Sequence, residues 1–223
     1  MHTLRERHLA GLDYLESVTV LLQRIRCAHP TAGLYQAAEL QWWWRNPRST
    51  DEFAQLFWFD DHDRPAAAVI ATDWGDGSSA SAGSRILPSP GSTPSTSKST
   101  GTVFWHRGGP LVEARLRQTS LYRPDLDLVV HDRHDDVAAY GLFWFDPETA
   151  TGVVEPMRTE DDHQRRGLAR HVLTSGIDLL AAAGAERISI GWEPDNPASG
   201  HLYRSVGLEP VLRTDVFSGP PRR

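Results

Sequence analysis

A chain of 223 residues, 39% hydrophobic and 23% charged, is long enough to bury a substantial core as one large domain or two small ones. Its net charge of -6 argues against bulk nucleic-acid binding, which relies on clustered positive charge, and mildly favours a cationic or amine substrate. No apolar run reaches the roughly 18 residues of a membrane span, and the start, Met1 to His8, lacks an apolar signal-peptide stretch, so a cytoplasmic address is expected.

Residues 13–28 space Leu15, Val18, Leu22 and Ile25 at helical intervals, with Asp13 and Glu16 placed as a capping box and Pro30 beyond the end. The single Cys27 lies on this helix, has no disulfide partner and is expected to be buried. A second helix over residues 34–45 closes in Trp42-Trp43-Trp44 before Asn46-Pro47. Three adjacent tryptophans cannot share one helix face, so at least one should be partly exposed or line a groove. Core packing is the expected use of this triplet, a substrate-pocket wall the alternative.

Residues 53–59 and 66–72 read as two strands of a hairpin joined by Asp60-Asp61-His62-Asp63-Arg64-Pro65. The acids and histidine here, like those of His131-Asp132-Arg133-His134-Asp135-Asp136 further on, could imitate metal ligands, but turn-forming polar residues are the better reading and no metal is expected.

Composition changes abruptly at Ser78. Nineteen of the 25 residues from Ser78 to Thr102 are Ser, Thr, Gly or Pro, which predicts a disordered linker or insertion. Lys98, the only lysine among 23 basic residues, lies here, as expected if a frameshift or in-frame replacement introduced the stretch. An unbroken reading frame with uniform codon usage on resequencing would refute that origin.

Order is expected to resume with Pro110 in the first turn of a helix through about Gln118. Strands follow at residues 126–130, 137–145 and 152–159. Leu142-Phe143-Trp144-Phe145-Asp146 echoes Leu56-Phe57-Trp58-Phe59-Asp60, a faint internal repeat. A helix over 168–183, a strand over 187–192, a helix from Pro197 capped by Asn196, and one or two strands within 208–217 complete the chain.

Gln164-Arg165-Arg166-Gly167-Leu168-Ala169 joins the strand ending at Thr159 to the helix at Leu168. A helix start leaves unpaired N–H groups at the positive end of the dipole; glycine allows close backbone approach and two arginines stand beside it, so the run is an anion site. This Gln/Arg-x-x-Gly-x-Gly/Ala pattern resembles the acyl-CoA pyrophosphate loop of the GNAT family of acetyltransferases, with Ala169 at a position that is more often glycine. A second pattern agrees: Asn196, Tyr203 and Gly207 stand at the spacing of the family's Asn-x-x-Ala-x-x-Leu-Tyr-x-x-x-Gly-Phe, with Ser199 for alanine, Leu208 for phenylalanine and Gly200 as an unfavourable helix residue.

The resemblance implies an α/β (α+β) fold with a mixed central sheet flanked by helices. It divides the chain into an N-terminal helical and hairpin region at 1–76, a linker at 77–109 and the GNAT domain at 110–223. The N-terminal region is either the helices and hairpin that GNAT proteins place ahead of the cofactor strand, or the remnant of a degenerate first half, as in tandem acetyltransferases; the remnant is favoured because residues from Leu126 bring their own hairpin.

The implied activity is acetyl transfer from acetyl-CoA to a small-molecule amine or peptide, without metal; a catalytically inactive CoA-binding or regulatory protein is the alternative. The backbone of Met157, Arg158 and Thr159 would pair with the pantetheine arm, the N–H groups of Gln164 to Ala169 would hold the pyrophosphate, and Asn196 would contact the cofactor. Tyr203 matches the family's usual general acid. Glu155, ahead of Glu193, is the candidate base. Oligomeric state cannot be read from the sequence.

Overall fold

The computed structural model describes residues 4–72, apart from 32 and 34, and 103–214, with backbone alone for 103–109. Up to Thr102 the Ser/Thr-rich stretch lies outside the described residues.

The N-terminal region begins with strand β1 (Arg5–Leu9), followed by helices α1 (Gly11–Ala28) and α2 (Ala37–Trp44) and strands β2 (Gln55–Phe59) and β3 (Pro65–Val69). The three strands form an antiparallel sheet in the order β1-β2-β3. β1 was not foreseen, because Arg-Glu-Arg-His-Leu offers no apolar alternation; its arginines instead reach Asp63, at 2.9 Å from Arg5 and 2.5 Å from Arg7, and Arg7 stacks on Phe59.

α1 departs from expectation at both ends. It starts at Gly11 with Ala10 as an N-cap that makes no side-chain bond, so Asp13 contributes a first-turn charge rather than a capping box. Its apolar stripe holds through Leu15 and Val18 and then rotates. Ile25 is exposed, while Arg26 is buried and donates to the carbonyls of Gly33 and Tyr35. Cys27 is exposed, contrary to expectation, because the last turn of α1 faces the carbonyl of Glu148, 3.3 Å from its Sγ, rather than the core.

The second part comprises α3 (Val103–Leu116), β4 (Asp127–His131), β5 (Val137–Asp146), β6 (Thr151–Thr159), α4 (Leu168–Ala182), β7 (Arg187–Ile190) and α5 (Pro197–Ser205). α3 starts inside the stretch assigned to the linker and carries Pro110 within the helix rather than in its first turn. No strand occurs among the described residues of 208–214, so the predicted final strand is absent there.

β4-β5-β6-β7 is a mixed sheet: three antiparallel strands and then β7 parallel to β6. Side chains alternate across it. Leu142, Trp144 and Val153 pack with Ala37, Ala38 and Trp42 of α2 and Val112 and Leu116 of α3. Phe143 and Val154 face the other way, onto Val172, Leu173 and Leu180 of α4 and Tyr203 of α5. Helices on both faces explain why β5 reads as an apolar run.

The closest approach is at Gly176, where an added Cβ would lie 2.0 Å from Cζ of the fully buried Phe143. Gly176→Ala is therefore expected to destabilise the domain by roughly 1–3 kcal/mol through overpacking, measured by urea unfolding. Unchanged stability would show that helix and ring separate freely.

The two polar turns are built alike. Asp60 Oδ1 accepts from the N–H groups of His62 (2.9 Å) and Arg64 (3.0 Å), and Asp132 Oδ1 accepts from those of His134 (2.7 Å) and Asp136 (3.1 Å). Asp63 and Asp135 both have positive φ. Both aspartates thus serve as turn formers, and among the described residues no three His, Cys, Asp or Glu side chains gather as metal ligands.

This likeness corrects the register of the internal repeat. β2-turn-β3 corresponds to β4-turn-β5, with one interval of 72 residues separating Asp60 from Asp132, Pro65 from Val137 and the α2 end Trp44 from the α3 end Leu116. The echo between Leu56 and Leu142 is out of step with it.

Candidate active site

β6 pairs with β7 only from Thr151–Arg187 to Val154–Ile190. Beyond Val154 it remains bonded to β5 but has left β7, so the backbone of Glu155, Met157, Arg158 and Thr159 forms an open edge leading to Gln164. Such an edge accepts an extended amide-bearing chain. Thr159 also carries a buried Oγ1 without a hydrogen-bond partner.

At the end of the edge the chain turns through Arg165 (φ 62°) and Gly167 (φ 82°) into α4. Gly167 is the N-cap and no side chain caps the helix. An added Cβ at Gly167 would meet nothing within 4 Å, so the turn opens outward. Backbone N–H groups at a helix start, on a turn of alternating φ sign, make an anion cradle. Gln164, Arg165 and Arg166 are exposed around it, with Leu168 and Ala169 half-buried. Arg166 donates to Nδ1 of His163 at 2.7 Å, and His163 Nε2 lies 3.6 Å from Asp132. Arg158 is paired with Glu160 at 3.1 Å.

Two titratable groups, Glu155 on β6 and Tyr203 on α5, interact electrostatically. Where Gly141 pairs with Met157 and Phe143 with Val154, Glu155 and Pro156 oppose Leu142 alone: a bulge that re-aims Glu155. Burial pushes the Glu155 carboxyl up to about 7, helped by the nearby Glu39 charge and opposed by Arg45 and a hydrogen bond from Trp42. Tyr203 on α5 is raised by its own burial and by the Glu155 charge, against a hydrogen bond with Ser199. Its ring stands edge-on to Trp192, centroids 6.4 Å apart. The Glu155 carboxyl is thus held near neutrality while the Tyr203 phenol stays protonated.

Glu193, the second candidate base, is exposed beyond the end of β7. Asn196 caps α5, its Oδ1 accepting from Ser199 N at 3.3 Å. Gly200, unhelpful for helix propensity, is required by packing, since an added Cβ would lie 2.9 Å from Trp192 Nε1. Sequence periodicity missed the part played by α2. Of the tryptophan triplet, Trp42 is 2% exposed against the sheet with Arg45 over its ring, Trp43 is half-buried edge-on to Tyr35, and Trp44 donates to Gln118 at 3.2 Å.

A strand with a free edge thus runs into an outward-opening loop and a helix whose start no side chain caps. Residues 98–208, just under half of the chain, match the model of the acetyltransferase (GNAT) family. Its curated relatives include the mycothiol acetyltransferase of Beutenbergia cavernae, 29% identical over 102 residues, which are 45% of this chain and 34% of that protein. That of Clavibacter michiganensis subsp. michiganensis is 32% identical over 87 residues, 39% of this chain and 28% of the relative. The match thus spans about a third of the length of these relatives. Among solved structures, the ribosomal-protein-S18-alanine N-acetyltransferase of Escherichia coli aligns with a TM-score of 0.33 at 23% identity, over 38% of this chain and 54% of that one.

Proposed function

We propose that the chain is an N-acetyltransferase that moves the acetyl group of acetyl-CoA to a small-molecule amine by direct attack. The observation carrying this reading is the divergence of β6 from β7 after Val154, which leaves the backbone edge from Glu155 to Thr159 open up to the Gly167 loop. Residues 157–159 would pair with the pantetheine amides, the N–H groups of residues 164–169 would hold the pyrophosphate, and Asn196 would contact the cofactor while capping α5. The unpartnered Thr159 hydroxyl and the empty space over Gly167 suit such a ligand.

Glu155 takes a proton from the acceptor ammonium, freeing the nitrogen lone pair. As the C–N bond forms and the C–S bond breaks, Tyr203 gives its hydroxyl proton to the departing sulfur, and the surplus proton on the new amide nitrogen returns to the tyrosinate. The two mycothiol acetyltransferases named above support a small-molecule acceptor. The shared 72-residue interval supports reading 1–76 as the remnant of a first GNAT-like half, ahead of a second half that opens with α3 (Val103–Leu116). No helix among the described residues is long and apolar enough to cross a membrane, and a cytoplasmic enzyme fits the proposal.

Acetyl-CoA incubated with a panel of small amines should release free CoA, detected by thiol reagent, in an amine-dependent way. Tyr203→Phe should lower kcat by about 100-fold with acetyl-CoA affinity unchanged, since only a proton donor is lost. Equal turnover would remove Tyr203 from the chemistry, and a folded chain that binds CoA but acetylates no amine would favour a regulatory CoA-binding role.

A further inference from the structure

The loop that opens α4 contains one residue whose backbone its own side chain disfavours. Arg165 holds φ at 62°, the left-handed region in which a Cβ crowds the following carbonyl. A bond between the residues on either side of Arg165 spans this turn: Nη1 of Arg166 donates to Nδ1 of His163 at 2.7 Å.

The chemistry of that bond fixes the state of the ring. A guanidinium only donates, so Nδ1 accepts, the imidazole is neutral and its proton sits on Nε2. Nε2–H faces Oδ2 of Asp132 at 3.6 Å, a dipole turned toward a charge at more than hydrogen-bond length. Oδ1 of Asp132 is committed to the N–H groups of His134 and Asp136 in the β4–β5 turn, which leaves Oδ2 for the ring. His163 is well enclosed for a loop residue, its side chain 16% exposed and that of Asp132 17%. It ends a short helical turn, Asp161–His163, whose start is tied to β5 by the Glu160 N–H, 3.0 Å from the Ala138 carbonyl. His163 is therefore the anchored partner, and the exposed Arg166 the one that it holds.

We infer that His163 is a positioning residue for acyl-CoA binding: its Nδ1 holds Arg166 across the left-handed Arg165, so that the N–H cradle and the cation beside it are formed before the ligand arrives. The inference rests on the reading of residues 164–169 as the pyrophosphate site. A loop ordered in advance loses less freedom on binding, and releasing one arginine side chain corresponds to a loss of roughly 2- to 10-fold in affinity.

Calorimetric titration of the full chain with acetyl-CoA tests this role. H163A should bind about fivefold more weakly than the wild type. H163N should recover most of the loss, because an asparagine Oδ1 stands where Nδ1 does and accepts from Arg166. R166A should lose more, since a positive charge is removed. The double variant H163A/R166A should be no weaker than R166A, because His163 then has nothing to hold. Wild-type affinity in H163A, additive losses in the double variant, or H163N as weak as H163A overturns the inference. The ring gives a check that survives a failure of H163A to fold: with nitrogen-15-labelled histidine in alkaline buffer, NMR of the wild type should find the His163 proton on Nε2, and a proton on Nδ1 overturns the inference. A folded wild-type chain that binds no acetyl-CoA overturns instead the assignment of the loop on which the inference rests.

Discussion

Replacing Glu155 with glutamine is expected to lower acetyl transfer by roughly 10²- to 10⁴-fold, the usual worth of a general base, with acetyl-CoA affinity almost unchanged. Glutamine keeps the shape, but it cannot take a proton from an ammonium. The pH dependence has a definite sign. Burial raises the Glu155 carboxyl from 4.5 to about 7, so wild-type kcat/KM should rise as pH increases through about 7 and fall away below it. In E155Q that limb should vanish. Stability runs the other way: because the folded chain holds this proton more tightly than the unfolded one, the contribution is complete below about 4.5 and is lost as pH rises through about 7. Urea unfolding at pH 5 and pH 8 should show this loss in the wild type and less of it in E155Q. A variant with wild-type turnover and an unchanged acid limb would shift the base to another residue.

Gly167→Glu should abolish acetyl-CoA binding, with affinity falling at least about 100-fold. The backbone there has φ 82°, which costs an L residue roughly 1–2 kcal/mol, and its open side has no protein atom within 4 Å of an added Cβ. The domain should therefore remain folded while a carboxylate is placed over the N–H groups proposed to receive the pyrophosphate, repelling the ligand. At 100 times its Kd a ligand stabilises a protein by about 2.7 kcal/mol, so CoA should raise the wild-type Tm measurably and leave that of the variant unmoved. An equal rise in both would place the phosphates elsewhere.

The stretch from β6 through the loop to α4 was legible because the pattern there switches from strand to helix at Gly167, and the Asn196-Pro197 start of α5 because cap and first-turn proline are local signals. Tyr203 was nameable as a candidate through a resemblance and Glu155 through its place on the strand before the loop, whereas the burial that raises both groups depends on the fold. Features set by long-range contacts were not. β1 is held by arginines that reach Asp63, far along the chain. The exposure of Cys27 follows from where the end of α1 meets the β5–β6 turn. Trp42 looks in sequence like one of three equivalent aromatics, and only its seat against β6 selects it. The repeat was misaligned because Leu-Phe-Trp-Phe-Asp compares apolar identity, whereas the shared feature is an aspartate that accepts from two turn N–H groups.

Calorimetric titration of the purified chain with acetyl-CoA tests the central claim most directly. The open β6 edge and the Gly167 loop predict a single site of micromolar affinity. A folded chain that takes up no heat and no acetyl-CoA would contradict the account.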